Sequence, residues 1–167
     1  LLSIDYSQIE LRLAAHLSQD RKMTEVFQSG GDIHTATAME IFGIKDPKKV
    51  TLEMRRNAKT INFGVLYGLS AYGLKSRIPE VSQGEAQEFI DKYFAAYPGV
   101  KQYIEDVKQA VRKDAQVKNA LGRIRKFPEI TATNFMVRQA AERQAVNFPI
   151  QSLAADVIKV AMINIYN

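Results

Sequence analysis

The chain opens on Leu1 to Ile4, a short apolar run of the kind a buried strand carries, closed by Asp5. Beyond Tyr6, Ser7 and Gln8, the apolar positions Ile9, Leu13 and Leu17 recur at helical spacing and predict a helix over 9–17. Asp32 is a helix cap for an apolar stretch from Ile33 to Ile41, and Gly43 is its stop. Residues 47–51 read as a turn into a longer periodic stretch, Glu53 to Gly68. Gly68, Ser70 and Gly73 then predict a bend or a short helix. Ser82 with Glu85 three residues on is a capping box for a helix reaching Tyr97, which Pro98 and Gly99 end. A further amphipathic helix over 100–113 has Tyr103, Val107 and Val111 as its stripe. The pattern then shortens: Val117-Lys118-Asn119 and Ile124 to Phe127 flank Leu121-Gly122-Arg123 as a small hairpin. Thr133 and Asn134 open a helix to Asn147, Phe148-Pro149 predicts a break, and Pro149 suits the first turn of a last helix.

One stretch does not fit a simple in-or-out pattern. As a helix, 53–68 places Arg55, Lys59, Phe63 and Tyr67 at i, i+4, i+8 and i+12, one slanted row of two cations and then two rings. At about 1.5 Å of rise per residue, Arg55 and Phe63 stand about 12 Å apart, the span of a nucleoside triphosphate from outer phosphate to base. A solvated face for the cations and a core for the rings is the competing reading, yet both share one face.

Other candidates surround this row. Asp5, at the exit of a strand, is either a ligand for a hard cation such as magnesium or the cap of the next helix. Glu10 reads as an exposed glutamate, and His34 as a surface histidine in a first turn whose dipole favours anions. Arg123, Arg125 and Lys126 give the hairpin a basic tip that either contacts phosphates or is a solvated edge. Asn147 and Gln151 flank the predicted break with amides able to bond base or sugar edges, or to cap the backbone.

Composition narrows the field without choosing. In 167 residues, 23 Lys and Arg against 18 Asp and Glu give +5, a mild bias towards polyanions. There is no cysteine, hence no disulfide or thiolate metal site, and two histidines make a histidine-rich zinc site unlike this chain. The apolar run 153–166, interrupted by Asp156 and Lys159, reads as too short to cross a bilayer. An intracellular, soluble piece of a longer chain is the expectation, since the sequence starts without Met and stops in mid-pattern.

Three stretches together resemble the family A DNA polymerases of the bacterial polymerase I type. Asp5-Tyr6-Ser7-Gln8-Ile9-Glu10-Leu11-Arg12 resembles their first polymerase motif. Arg55-Arg56 through Lys59, Phe63-Gly64 and Tyr67-Gly68 resembles the second, on the fingers helix. Ala140 to Arg143, Asn147, Pro149, Gln151 and Ala154 to Asp156 resemble the helices along primer–template DNA. Order and spacing agree over nearly the whole chain.

The resemblance implies an α+β fold, mostly helical here: fingers and part of the palm of a right-hand polymerase. It divides the chain into a palm strand and helix over 1–20, fingers over 21–115, and a hairpin with helices returning to the palm over 116–167. It implies nucleotidyl transfer from a deoxynucleoside triphosphate to a primer 3′-hydroxyl with two Mg2+ ions, in replication or repair. Asp5 and the Tyr6 carbonyl would hold metal, and Arg55, Lys59 and His34 would grip phosphates. Phe63 would stack beside the sugar and base and favour rejection of dideoxynucleotides. Tyr67 would close the pocket, and Glu10 would pack against it and exclude a 2′-hydroxyl. Gln8 belongs to the same nucleotide site, and Arg143, Asn147 and Gln151 would contact primer–template. The implied partners are DNA, deoxynucleotides, and the thumb and remaining palm, in a cytoplasmic, nucleoid-associated bacterial enzyme without a membrane. The family's third motif, His-Asp-Glu with the second metal carboxylate, is absent, so these residues alone are expected to be inactive. Two other classes compete: a single-subunit RNA polymerase, which Glu10 argues against, and a non-catalytic nucleic-acid-binding module, which has no need of Asp5.

Overall fold

The computed structural model describes residues 5–166; the strand expected over 1–4 lies outside them. Eight helices and one hairpin make up the described residues: α1 Ile9–Ser18, α2 Arg21–Gln28, α3 Ile33–Phe42, α4 Leu52–Leu66, α5 Ala71–Arg77, α6 Gln83–Ala96, α7 Pro98–Asp114, β1 Gln116–Lys118, β2 Ile124–Lys126 and α8 Phe135–Tyr166. Short 3-10 turns at Pro47–Lys49 and Pro128–Thr131 lead into α4 and towards α8. The mostly helical architecture expected from sequence is observed, with an antiparallel hairpin pairing Val117 with Arg125.

Local chemistry sets most boundaries. Asp32 accepts from the Thr35 amide to cap α3, and Gly43 closes it at φ 66°. Thr51 caps α4 through the Met54 amide, and Ser82 and Glu85 form the complete capping box of α6. Helix α2 was not expected. It starts at Asp20, whose Oδ1 accepts from the Met23 amide while Oδ2 accepts from the Gly99 amide at 2.9 Å. One buried carboxylate therefore caps two helices, and α7 begins at Pro98, where sequence placed only a break.

Two hydrophobic cores result. The larger gathers Leu11, Met23, Ile33, Ile41, Ile61, Leu66, Tyr93 and Tyr97. The smaller holds Val111, Val117, Phe127, Ile130, Ala141 and Ala145 beneath the hairpin. Helix faces differ in detail from the expected stripes. The buried side of α1 is Leu11, Ala14 and Ala15, with Leu13 and Leu17 only half covered. That of α7 is Val100, Ile104 and Val111. Neighbours on several sides, rather than one flat surface, choose these faces.

The break expected at Phe148-Pro149 does not occur. α8 runs through Pro149 over 32 residues. Proline in a helix interior forfeits the bond to the carbonyl four residues back, here Ala145, at about 3 kcal/mol. Val146, Ile150 and Leu153 are buried around it, and such residues contribute roughly 1.5–3 kcal/mol each. Packing outweighs the local preference. By length and composition alone α8 would pass for a bilayer span. Five charged residues, Arg138, Glu142, Arg143, Asp156 and Lys159, interrupt it, and Ala141, Ala145, Val146 and Ile150 seat its middle in both cores.

Candidate functional site

Helix α3 lies along α4, and the row of cations and rings runs beside their seam. Lys59 is exposed, while Arg55, Phe63 and Tyr67 are half-buried. Arg55 donates from Nε to Asp32 Oδ2 at 2.7 Å and from Nη2 to Oδ1 at 3.1 Å, a two-pronged pair. Partial burial opposes ionisation of Asp32, but Arg55 and the Thr35 donors outweigh it and hold the carboxyl well below its usual range. Asp32 is thus both a cap and the anchor of Arg55.

His34 is buried at 2% exposure, where sequence placed it on the surface. Its Nδ1 lies 3.1 Å from Asn62 Nδ2, and its ring is 6.0 Å from that of Phe63. Burial pushes its pKa down; Asp32 opposes this, and Arg55 and Lys59 add to it. Phe63 in turn stacks on Tyr67 with centroids 6.4 Å apart and planes 27° apart.

At the end of α4, the Tyr67 hydroxyl donates to Glu10 on α1, with Gln151 of α8 also beside it. Burial and then the Glu10 bond push this hydroxyl up to about 12, so it remains a donor. Gly68 follows at φ 69°, and a Cβ there would lie 2.9 Å from Arg143 Cγ. Glycine is needed both for the left-handed turn and for that contact. Gln8 adopts φ 57°, uncommon for a residue with a Cβ, and its side chain makes a long 3.5 Å contact to Asp32.

Asp5 and Tyr6 are exposed at the entry to α1. The Asp5 carboxylate and a backbone carbonyl are the oxygen donors a magnesium ion takes. No group of three or more His, Cys, Asp or Glu that could hold a metal occurs among the described residues. The pair fits as part of a ligand set, not as a whole one.

The sequence profile of DNA polymerase family A matches residues 1–167. The chain belongs to DNA polymerase family A. It is similar to DNA polymerase I of Streptococcus pneumoniae (strain R6), at 49% identity over 165 residues, covering 99% of this chain and 19% of the relative. DNA polymerase I of Geobacillus stearothermophilus is also 49% identical over 165 residues, with the same coverage. The POL domain of Pol1 from M. smegmatis, solved with DNA primer–template and dNTP, superposes with a TM-score of 0.90 at 47% identity. That match covers 96% of this chain and 28% of the other. The chain thus spans about a fifth of the length of these full-length polymerases.

In this family A segment the second half carries the remaining candidates. Tyr67, Gly68, Arg77, Lys101, Gln139 and Arg143 line a cleft of about 620 Å³. Asn147 Oδ1 is buried without a hydrogen-bond partner among the described residues, which makes it an acceptor in need of a donor. Arg123 pairs with buried Asp156, and Arg125 donates to Gln144 at 2.7 Å while lying over the Phe127 ring. Lys126 is exposed and has no such partner among the described residues. The hairpin's arginines are therefore held by the protein itself.

Sequence reading missed Asp32 as the anchor of Arg55, and it missed Asn62. The second had a signal. Ala58, Asn62 and Leu66 share one buried row of α4, and an amide in an apolar row asks for a partner.

Proposed function

We propose that this segment is the nucleotide-binding wall of a DNA-directed DNA polymerase, comprising the fingers and part of the palm. The carrying observation is the ridge on α4: exposed Lys59 and anchored Arg55, then Phe63 and Tyr67, with His34 behind and Glu10 at its end. That order matches a triphosphate followed by a sugar and base. The dNTP and primer–template bound by the M. smegmatis POL domain support the same assignment.

In this reading Lys59 and Arg55 stabilise charge moving onto the leaving phosphates. Phe63 supports the incoming base, and Tyr67 closes the pocket. Glu10, held by the Tyr67 hydroxyl, crowds the sugar's 2′ position. Gln8 steadies the Asp32 side of the site. Arg143, Asn147 and Gln151 meet the primer–template near the new pair, and Lys126 lies along the phosphate backbone, on a hairpin that Arg123 and Arg125 hold in place. Closure of α4 on a correctly paired nucleotide supplies selectivity. Asp5 and the Tyr6 carbonyl provide one part of a magnesium site. The bound ions would activate the primer hydroxyl and neutralise the pyrophosphate. The second carboxylate belongs to the rest of the polymerase, which works in the bacterial cytoplasm in replication or repair.

Two measurements test this. In the intact polymerase, Lys59→Ala should impair nucleotide incorporation far more than primer–template affinity; equal losses would favour a plain nucleic-acid-binding module. The 167 residues alone should extend no primer, because one carboxylate does not hold a metal pair, and measurable extension would refute that.

A further inference from the structure

Behind the ridge a buried chain of polar groups ends on His34, and its other members, Tyr97, Thr37 and Asn62, have no direct part in the nucleotide site. The Tyr97 hydroxyl is 3.0 Å from Thr37 Oγ1, which is 3.0 Å from Asn62 Oδ1, and Asn62 Nδ2 is 3.1 Å from His34 Nδ1. All four residues are buried. Counting protons gives the chain a direction. Among the described residues the Tyr97 hydroxyl has no partner but Thr37, so its proton goes there. The single Thr37 proton then goes to Asn62 Oδ1, and the other end of the amide offers N–H to His34 Nδ1. The reverse order would have His34 donate to Asn62, Asn62 to Thr37 and Thr37 to Tyr97. The Tyr97 proton would then be stranded in the core, which proteins avoid.

A ring nitrogen that accepts a hydrogen bond carries no proton, so the proton of a neutral imidazole sits on the other nitrogen. We propose that Tyr97, Thr37 and Asn62 are positioning residues that fix His34 as the Nε2–H tautomer, so that it presents a neutral hydrogen-bond donor to the triphosphate. This rests on the nucleotide-site reading above. The opposite tautomer would turn a bare lone pair towards phosphate oxygens. Burial favours the neutral ring, and so does the proximity of Arg55 and Lys59, with Asp32 opposing. Burial also pushes the Tyr97 hydroxyl up to about 12, which keeps it a donor at the head of the chain.

The test uses the intact polymerase with 15N-labelled histidine, His34 being assigned by loss of its signals in His34→Gln. The wild type should show a bare Nδ1 and a protonated Nε2. Asn62→Leu removes the donor. Thr37→Val, close in shape and safer for folding, frees the amide to turn over. Both should raise the Nδ1-protonated fraction. The KM for dNTP should rise about tenfold in Asn62→Leu, as for loss of one hydrogen bond at the upper end of its range, and about threefold in Thr37→Val. kcat and primer–template affinity should change little. In the His34→Gln background neither substitution should raise KM further. A wild-type spectrum with protonated Nδ1 overturns the inference alone, provided His34→Gln itself raises KM. So does an equal KM rise from Asn62→Leu without His34. A His34→Gln enzyme with wild-type KM overturns both the inference and the nucleotide role of His34.

Discussion

Arg55 on α4 and Arg123 beside the hairpin each pair with an aspartate, Asp32 and Asp156, using two nitrogens apiece. In sequence both are simply basic residues near other basic residues. Their surroundings separate them. Asp156 also accepts from Asn119 Nδ2 at 3.0 Å, and Asn119 Oδ1 accepts the Leu121 and Arg123 amides that shape the hairpin turn. The Arg123 and Asn119 bonds hold Asp156 below the usual carboxylate range. That pair is a knot tying β1 and β2 to α8. The Arg55 pair stands instead beside exposed Lys59 and two rings, with no backbone hanging on the guanidinium. The same two side chains anchor structure at one end of the chain and orient charge at the other.

The sharpest way to break this comparison is at Lys59. In the intact polymerase, Lys59→Ala is expected to lower kcat for incorporation ~100- to 1,000-fold, the range for loss of one group that stabilises transition-state charge. Single-turnover incorporation at saturating dNTP would measure it. An effect near unity would make the α4 ridge no different from the hairpin. Next comes Asn119→Ala, expected to cost roughly 2–3 kcal/mol locally by orphaning its neighbours. Faster amide exchange at Leu121 and Arg123, with unchanged nucleotide KM, would check it.

Asp32→Ala should be smaller, about 1–2 kcal/mol from a lost cap and a half-exposed ion pair. Its sign with pH is fixed. The folded pKa of Asp32 lies below the unfolded value near 3.9, so its contribution is complete above about pH 5 and declines as pH falls further. The gap between wild type and Asp32→Ala in denaturant unfolding should therefore narrow in acid. Smallest is Arg125→Ala, whose exposed side chain holds one Gln144 bond; about 0.5 kcal/mol or less is expected. A large loss of stability there would mean that the hairpin depends on Arg125 as much as on Asn119.

Much of the first half was legible because its signals are local. Caps at Asp32, Thr51 and Ser82 and the i, i+4 row on α4 are statements about neighbours in sequence. What escaped depends on distant partners. Burial of His34 requires α4 against α3, and burial of Asp20 requires the Gly99 amide of α7, although the Asp20 cap of α2 on the Met23 amide is itself a local signal. Pro149 was read by its local preference, which the two cores around α8 override. Glu10 looked like a surface glutamate until α1 met the end of α4 at Tyr67. The resemblance to polymerases supplied that contact where residue chemistry alone did not.

The continuity of α8 has a mechanical meaning. Its 32 residues make a rod about 48 Å long. Ala141 and Ala145 are set in the small core, and Val146 and Ile150 in the large one. A rod clamped in both bodies couples them, so a displacement of one levers the other instead of dissipating in a loop. The rod is one bond short of complete at Pro149, which sits inside that clamp between Val146 and Ile150, two residues before Gln151 reaches Tyr67.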